Sequence, residues 1–220
     1  MILLNFATFL ENQSKKIKKH IRRKAYKKFQ KKYNIEDSPK TKKTIREYNP
    51  YERTDLLLIE ELIKSNYILR DDNIVDIGCG TGIFICYLAT KGFKHLLGIE
   101  INESLIGIAE SNIKKIKDSF ACDLAVYHCD ALRFNIPDDA NCFYLFNTFY
   151  SKETYLLWLD MLKESMIRRN RTVRIIILFP TISSMSAISA CEWITEIDRV
   201  ISKSQACWRC VNFMVYEAKI

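Results

Sequence analysis

Val75-Asp76-Ile77-Gly78-Cys79-Gly80-Thr81-Gly82-Ile83-Phe84 reads as a strand, a turn and the start of a helix within ten residues. The apolar run from Ile74 to Ile77 ends in three glycines at alternate positions, and an apolar helical pattern begins at once. A turn without Cβ atoms, leading into a helix whose first N–H groups lack partners, lets a small molecule touch main chain. A dinucleotide fingerprint, Gly-x-Gly-x-x-Gly, needs a third glycine where Ile83 stands. A phosphate-binding loop ends in Gly-Lys-Ser/Thr, whereas the first lysine after this turn is Lys91. Neither phosphate reading holds, which also disfavours a nucleotide-dependent oxidoreductase.

Working outward, strands and helices alternate. Leu56 to Tyr67 reads as a helix, and Asp71-Asp72-Asn73 is the turn before the first strand. Phe84 to Thr90 is helical, with Gly92 as its stop. His95 to Glu100 is a second strand, and Asn102 caps a helix running to about Ser119. Leu124 to His128, Cys142 to Phe146 and Val173 to Phe179 are three more strands, the last two separated by a helix from Ser151 to Arg169. The tail reads as a helix near Ala187–Trp193 followed by two strands, the final one Val211 to Lys219. The pattern predicts an α/β fold with a doubly wound, mostly parallel sheet. Ligands of such sheets bind beyond the carboxyl ends of the strands.

Of the 220 residues, 48% are hydrophobic and 12% aromatic, a globular composition. The net charge of +8 is unevenly distributed. Residues 1–50 hold 15 Lys and Arg against 4 Asp and Glu, and the remainder holds 19 against 22. Residues 2–33 read as one basic amphipathic helix, with Ile17, Ile21, Ala25, Phe29 and Tyr33 forming a stripe that Leu3, Phe6, Ala7 and Leu10 extend. Between Lys15 and Lys32 stand eleven basic residues and no acid. Such a helix suits an anionic membrane surface or nucleic acid through residues 15–32, or packs its stripe on the body or a second subunit. Asp37-Ser38-Pro39 and Asn49-Pro50 break the pattern, dividing residues 1–47, arm and linker, from a catalytic domain over residues 48–220.

No apolar run reaches the length that crosses a bilayer. Met1 to Leu10 lacks the basic start and small-residue cleavage site of a signal peptide. The expected location is therefore cytoplasmic, peripheral to the membrane if the arm binds lipid. Cys79, Cys86, Cys122, Cys129, Cys142, Cys191, Cys207 and Cys210 then read as reduced thiols. Cys207-Trp-Arg-Cys210 is half of a zinc site without a matching pair, so no metal is expected.

With Asp76 two residues before the first glycine, the stretch resembles motif I of class I S-adenosyl-L-methionine (SAM)-dependent methyltransferases. The resemblance implies a seven-stranded sheet completed by a C-terminal antiparallel hairpin, and SAM as cofactor. It implies binding by Asp76, Gly78, Cys79, Gly80, Thr81 and Gly82. Glu100, with Ile101 beside it, ends the second strand, where a carboxylate can accept hydrogen bonds from both ribose hydroxyls. Asp130 then binds the adenine amine, while Ala131 and Leu132 hold the ring.

After the fourth strand stands Asn147-Thr148-Phe149-Tyr150. It is similar to the Asn/Asp-Pro-Pro-Tyr/Phe stretch of amino-methyltransferases, with Thr148 and Phe149 in place of both prolines. It also resembles the Asn-Asn-Phe and Asn-Pro-Phe stretches of non-SET lysine methyltransferases and of small bacterial methyltransferases. This marks Asn147 and Tyr150 as candidates for positioning the unidentified methyl acceptor, Asn147 being equally readable as a cofactor or backbone ligand. His128 reads as a core or cofactor-shell residue. The alternative to an enzyme is an inactive protein that binds SAM or S-adenosylhomocysteine (SAH), although no motif position is damaged.

Overall fold

The computed structural model describes residues 2–37, 51–201 and 211–220, with side chains described from Lys16 onward. Its order is α1 (Ile2–Tyr33), α2 (Leu56–Lys64), β1 (Asn73–Ile77), α3 (Ile83–Ala89), β2 (His95–Glu100), α4 (Glu103–Lys117), β3 (Asp123–His128), β4 (Cys142–Phe146), α5 (Lys152–Arg168), β5 (Val173–Leu178), α6 (Ile182–Ile188), β6 (Ile194–Ile201) and β7 (Val211–Ala218). The boundary proposed near residue 47 and the Cys207–Cys210 pair lie outside the described residues.

The sheet runs β3-β2-β1-β4-β5-β7-β6. β1 pairs in parallel with both β2 and β4, so the winding reverses there and leaves a crevice past its carboxyl end. β7 runs antiparallel to β5 and β6, giving the expected hairpin. Successive residues of a strand face opposite sides of the sheet, and two cores result. Ile74, Tyr144 and Ile176 face α2, α3 and α4; Val75, Phe143 and Ile175 face α5 and α6. Asp76 falls on the first of these faces, near the stacked rings of Phe84 and Tyr144 (3.8 Å between centroids). At the opposite end of the strands, buried Asp72 takes Arg174 Nη2 at 2.6 Å and Leu69 N–H at 2.6 Å, tying the start of β1 to β5.

Local signals account for most element ends. Asp55, Asn102 and Ser151 each accept a backbone N–H at the start of α2, α4 and α5. The tail helix is the exception. It spans Ile182–Ile188 rather than Ala187–Trp193, because Thr181 and Ser184 form a reciprocal capping box just after Pro180.

The basic helix divides along its length. Tyr26 and Phe29, with Ile35 just beyond, are buried in the first core, and Phe29 meets Tyr87 of α3 edge-on at 5.2 Å. Ile17 and Ile21, on the same stripe, are 58% and 48% exposed. Residues 26–35 are thus part of the folded body, whereas residues 16–23 present a basic face with two bare isoleucines. No described helix is long and apolar enough to cross a membrane.

Candidate active site

The glycine turn is held from both sides. Gly78 and Cys79 N–H donate to Ile99 O (2.9 Å each), and Gly80 N–H donates to Glu100 Oε2 at 2.9 Å. Glu100 Oε1 accepts Asn102 N–H at 2.8 Å. Glu100 therefore braces the turn against the end of β2, a role its position in the sequence did not disclose. An ionised carboxylate offers about four acceptor sites, so these backbone donors leave it capacity to accept from a ribose hydroxyl. Burial pushes the Glu100 carboxyl up, opposed by these backbone donors.

Gly80 adopts φ +56°, a left-handed conformation that favours glycine. A Cβ there would collide with the ring of Tyr51, which lies directly against the turn. Tyr51 OH is 2.9 Å from Thr81 Oγ1, and both hydroxyls reach Asp37 Oδ1. In the sequence Asp37 reads only as part of the break before Pro39.

A cleft of about 280 Å³ opens beside the turn, lined by Tyr51, Thr54, Asp76, Gly78, Tyr144 and Phe146 among others. Thr54 and Tyr144 hydroxyls are paired at 3.3 Å. Asp76, 3% exposed, lines the same cleft, and among the described residues no donor reaches its carboxylate. Burial, and then the Glu100 carboxylate, hold Asp76 well above the usual carboxylate range. A buried unpaired charge is costly, so this wall of the cleft is built for a cation.

The third strand end also turns as expected. Asp130 Oδ1 accepts Leu132 N–H at 2.8 Å, and Ala131 is buried with Leu132 packed nearby in the second core. His128 is not a core residue; it is exposed, and its Nε2 lies 2.9 Å from Ile101 O, beside Glu100.

At the end of β4, Asn147 takes φ +52° and is half-buried, while Tyr150 is 70% exposed. Non-glycine residues in this region mark functional sites more often than chance allows. The two residues standing for prolines fix the loop by other means. Thr148 Oγ1 donates to Ile77 O at 2.7 Å, and fully buried Phe149 packs edge-on to Tyr155 at 5.0 Å. The rest of the aromatic wall, Phe146 against Phe179 at 5.8 Å, was not foreseen; Phe179 is also left-handed, at φ +48°.

Burial pushes the Cys79 and Cys142 thiols up, away from nucleophilic use. Among the described residues the six cysteines are free, and no group of three or more His, Cys, Asp or Glu is placed to hold a metal.

Comparison with known proteins agrees with this geometry. Residues 74–167 match the family described as "Methyltransferase domain". A ribosomal protein L11 methyltransferase of Thermotoga neapolitana is 32% identical over 54 residues, 24% of this chain and 20% of that protein. A protein arginine N-methyltransferase 1 of Chlamydomonas reinhardtii is 38% identical over 58 residues, 26% of this chain and 16% of that protein. The chain thus matches about a fifth or less of these relatives' length.

Among solved structures, magnesium protoporphyrin IX methyltransferase from Synechocystis PCC 6803 with bound SAM superposes with a TM-score of 0.54 at 12% identity, over 74% of this chain and 77% of that one. An RNA methyltransferase from Salinibacter ruber in complex with SAH gives 0.52 at 16% identity, over 77% and 94%. At such identities the likeness is one of fold.

The residues present fit the cofactor of this family. The buried, unpartnered Asp76 suits a group carrying positive charge, and SAM carries an ammonium and a sulfonium. The turn at Gly80 leaves main chain accessible where a side chain would obstruct it. Over residues 74–167 the chain matches a methyltransferase domain, and its fold is that of class I, SAM-dependent methyltransferases.

Proposed function

We propose that the protein transfers the methyl group of SAM to an amine on a macromolecule or membrane-associated substrate. The observation that carries the methyl-transfer reading is the buried carboxyl of Asp76, unpaired among the described residues, beside a glycine turn braced by Glu100. When bound, the cofactor supplies a methyl group already activated on a sulfonium, so the protein's task is alignment and exclusion of water. In this reading Gly78–Gly82 and Asp76 hold the amino-acid end, Glu100 the ribose and Asp130–Leu132 the adenine. The left-handed turn at Asn147 sets a side-chain carbonyl to accept from the acceptor amine. In this reading the exposed Tyr150 ring, three residues on, covers that amine. Calorimetry tests this directly. SAM and SAH should both bind, and Glu100→Ala should weaken both about tenfold, the worth of a charge-assisted hydrogen bond. A wild-type protein that binds neither would end the proposal.

For the arm we infer an anionic membrane surface. Ile17 and Ile21, one turn apart and bare, stand among exposed Lys16, Lys18, Lys19, Arg22 and Arg23. Aliphatic side chains gain from an acyl boundary and little from a phosphate backbone, while each lysine or arginine adds about 1 kcal/mol at an anionic surface. The protein should co-sediment with phosphatidylserine-containing vesicles but not with neutral phosphatidylcholine vesicles. Replacing Ile17 and Ile21 with aspartate should reduce binding about tenfold or more. Salt-sensitive RNA binding that these substitutions leave intact, without vesicle binding, would assign the face to nucleic acid instead.

A further inference from the structure

The chain that follows the basic helix comes back to the cofactor turn. Ile35 N–H donates to Gln30 O (3.0 Å), closing α1 and turning the backbone inward. Glu36 is then clamped on both its backbone groups by buried Asn112 of α4: its N–H donates to Asn112 Oδ1 at 2.8 Å, and its carbonyl accepts Asn112 Nδ2 at 2.7 Å. The same Nδ2 donates to Thr81 O at 3.0 Å, so one amide joins this segment to the glycine turn.

Asp37 is delivered by that clamp. Its side chain is only 1% exposed, yet four groups converge on it from three parts of the chain. Tyr26 OH, from α1, donates to Oδ2 at 2.6 Å, and Arg53 Nη1 lies 3.4 Å from the same oxygen. On the other oxygen, Oδ1, Tyr51 OH and Thr81 Oγ1 (2.8 Å) meet. The Arg53 guanidinium also stacks over the Tyr26 ring, 3.8 Å from its centroid. A buried carboxylate with all its acceptor sites filled is a rigid node, because any partner that leaves strands the others.

Its position gives the node a task. Oδ1 draws the Tyr51 and Thr81 hydroxyls together, and the Tyr51 ring is thereby pinned against Gly80, where it forms one wall of the cleft. We propose that Asp37 is a positioning residue of the cofactor site, holding Tyr51 and Thr81 over the glycine turn so that the turn keeps its ligand-ready shape. Asp37 acts through these two residues and is not assigned a contact with the cofactor. The node also links the basic helix to the cofactor turn, since Tyr26 of α1 shares the same carboxylate. The proposal rests on the reading of this turn as a SAM site.

Binding and exchange measurements on the full chain separate the two. Asp37→Asn and Tyr51→Phe are expected to weaken SAM and SAH binding about tenfold, as loss of one charge-assisted hydrogen bond does. Tyr51→Phe keeps the ring and the carboxylate, so it serves if Asp37→Asn folds poorly. Thr81→Val, which removes the hydroxyl, should lose about tenfold, and Thr81→Ser, which preserves it, should recover most of that loss. In ligand-free protein, the peptide covering residues 78–86 should exchange its amides faster in Asp37→Asn and Tyr51→Phe than in wild type. If wild type binds SAM and these variants bind it equally well with unchanged exchange, Asp37 merely fastens α1 and the proposal falls alone. If wild type binds neither ligand, the cofactor reading falls and the proposal goes with it.

Discussion

Gly80→Ala is expected to cut SAM and SAH affinity about a hundredfold while leaving the sheet folded. Three effects add. An alanine held at φ +56° carries about 1–2 kcal/mol of strain. Its Cβ would occupy the edge of the Tyr51 ring, so Tyr51 must swing away from Thr81 and Asp37. If the turn relaxes instead, the Gly80 N–H leaves Glu100, worth about 1.5–3 kcal/mol for a bond to a charged acceptor. Strain and one lost bond together reach about 3 kcal/mol, and every 1.4 kcal/mol is a factor of ten in affinity. Calorimetry with SAH measures the loss, and far-ultraviolet circular dichroism checks the fold. Gly107→Ala is the control. A Cβ at Gly107, on the exposed face of α4, meets nothing within 4 Å, so binding should be unchanged and the helix slightly stabilised. Binding by Gly80→Ala within threefold of wild type would show that neither the turn's shape nor the Tyr51 wall matters to the cofactor.

The turn was legible in the sequence because its information is local: three alternate glycines after a buried strand specify a backbone, and Glu100 and Asp130 follow at the ends of the next two strands. The seven strands were legible for the same reason, each bounded by a turn or cap within a few residues. What escaped was set by tertiary contact. Ile17 and Phe29 occupy one periodic stripe, and periodicity assigns them one environment; the fold buries Phe29 against Tyr87 and leaves Ile17 in solvent. Asp37 precedes Ser38-Pro39 and reads as a chain-breaking acid, since nothing near it in sequence announces Tyr26, Tyr51 and Thr81. Thr148 read only as a residue in place of a proline, although its hydroxyl anchors the loop to Ile77. The local signal that was present but unused is Thr181-x-x-Ser184, whose reciprocal bonds start α6 five residues early.

Asp76→Asn should make the ligand-free protein more stable at neutral pH and at the same time remove about a hundredfold or more of its affinity for SAM. The sign follows from the direction of the shift. Burial and the neighbouring Glu100 raise the folded-state value of Asp76 well above the ordinary 3.8. A carboxyl raised in this way contributes its stability fully below the unfolded value, and loses it as pH rises through the folded one. Above the unfolded value wild type therefore carries the cost of a buried carboxyl that no described donor relieves, and the neutral amide of the variant escapes that cost. Each kcal/mol recovered should raise Tm by about 2–4 °C for a chain of this size. The gap between variant and wild type should close as pH falls below the unfolded value of 3.8, where Asp76 becomes protonated in both folded and unfolded chains.

Binding runs the other way, because a cationic ligand pairs with the carboxylate and not with the amide; removing one member of a buried ion pair costs about 3–5 kcal/mol. Wild-type affinity for SAM should accordingly increase with pH as Asp76 ionises, a dependence absent from the variant. SAH identifies which positive centre is involved, since it keeps the ammonium and lacks the sulfonium. Equal losses for SAM and SAH place the ammonium at Asp76, whereas a loss confined to SAM places the sulfonium there. A variant that melts below wild type at neutral pH, or binds SAM undiminished, would mean that Asp76 is a structural residue whose partner the cofactor does not supply.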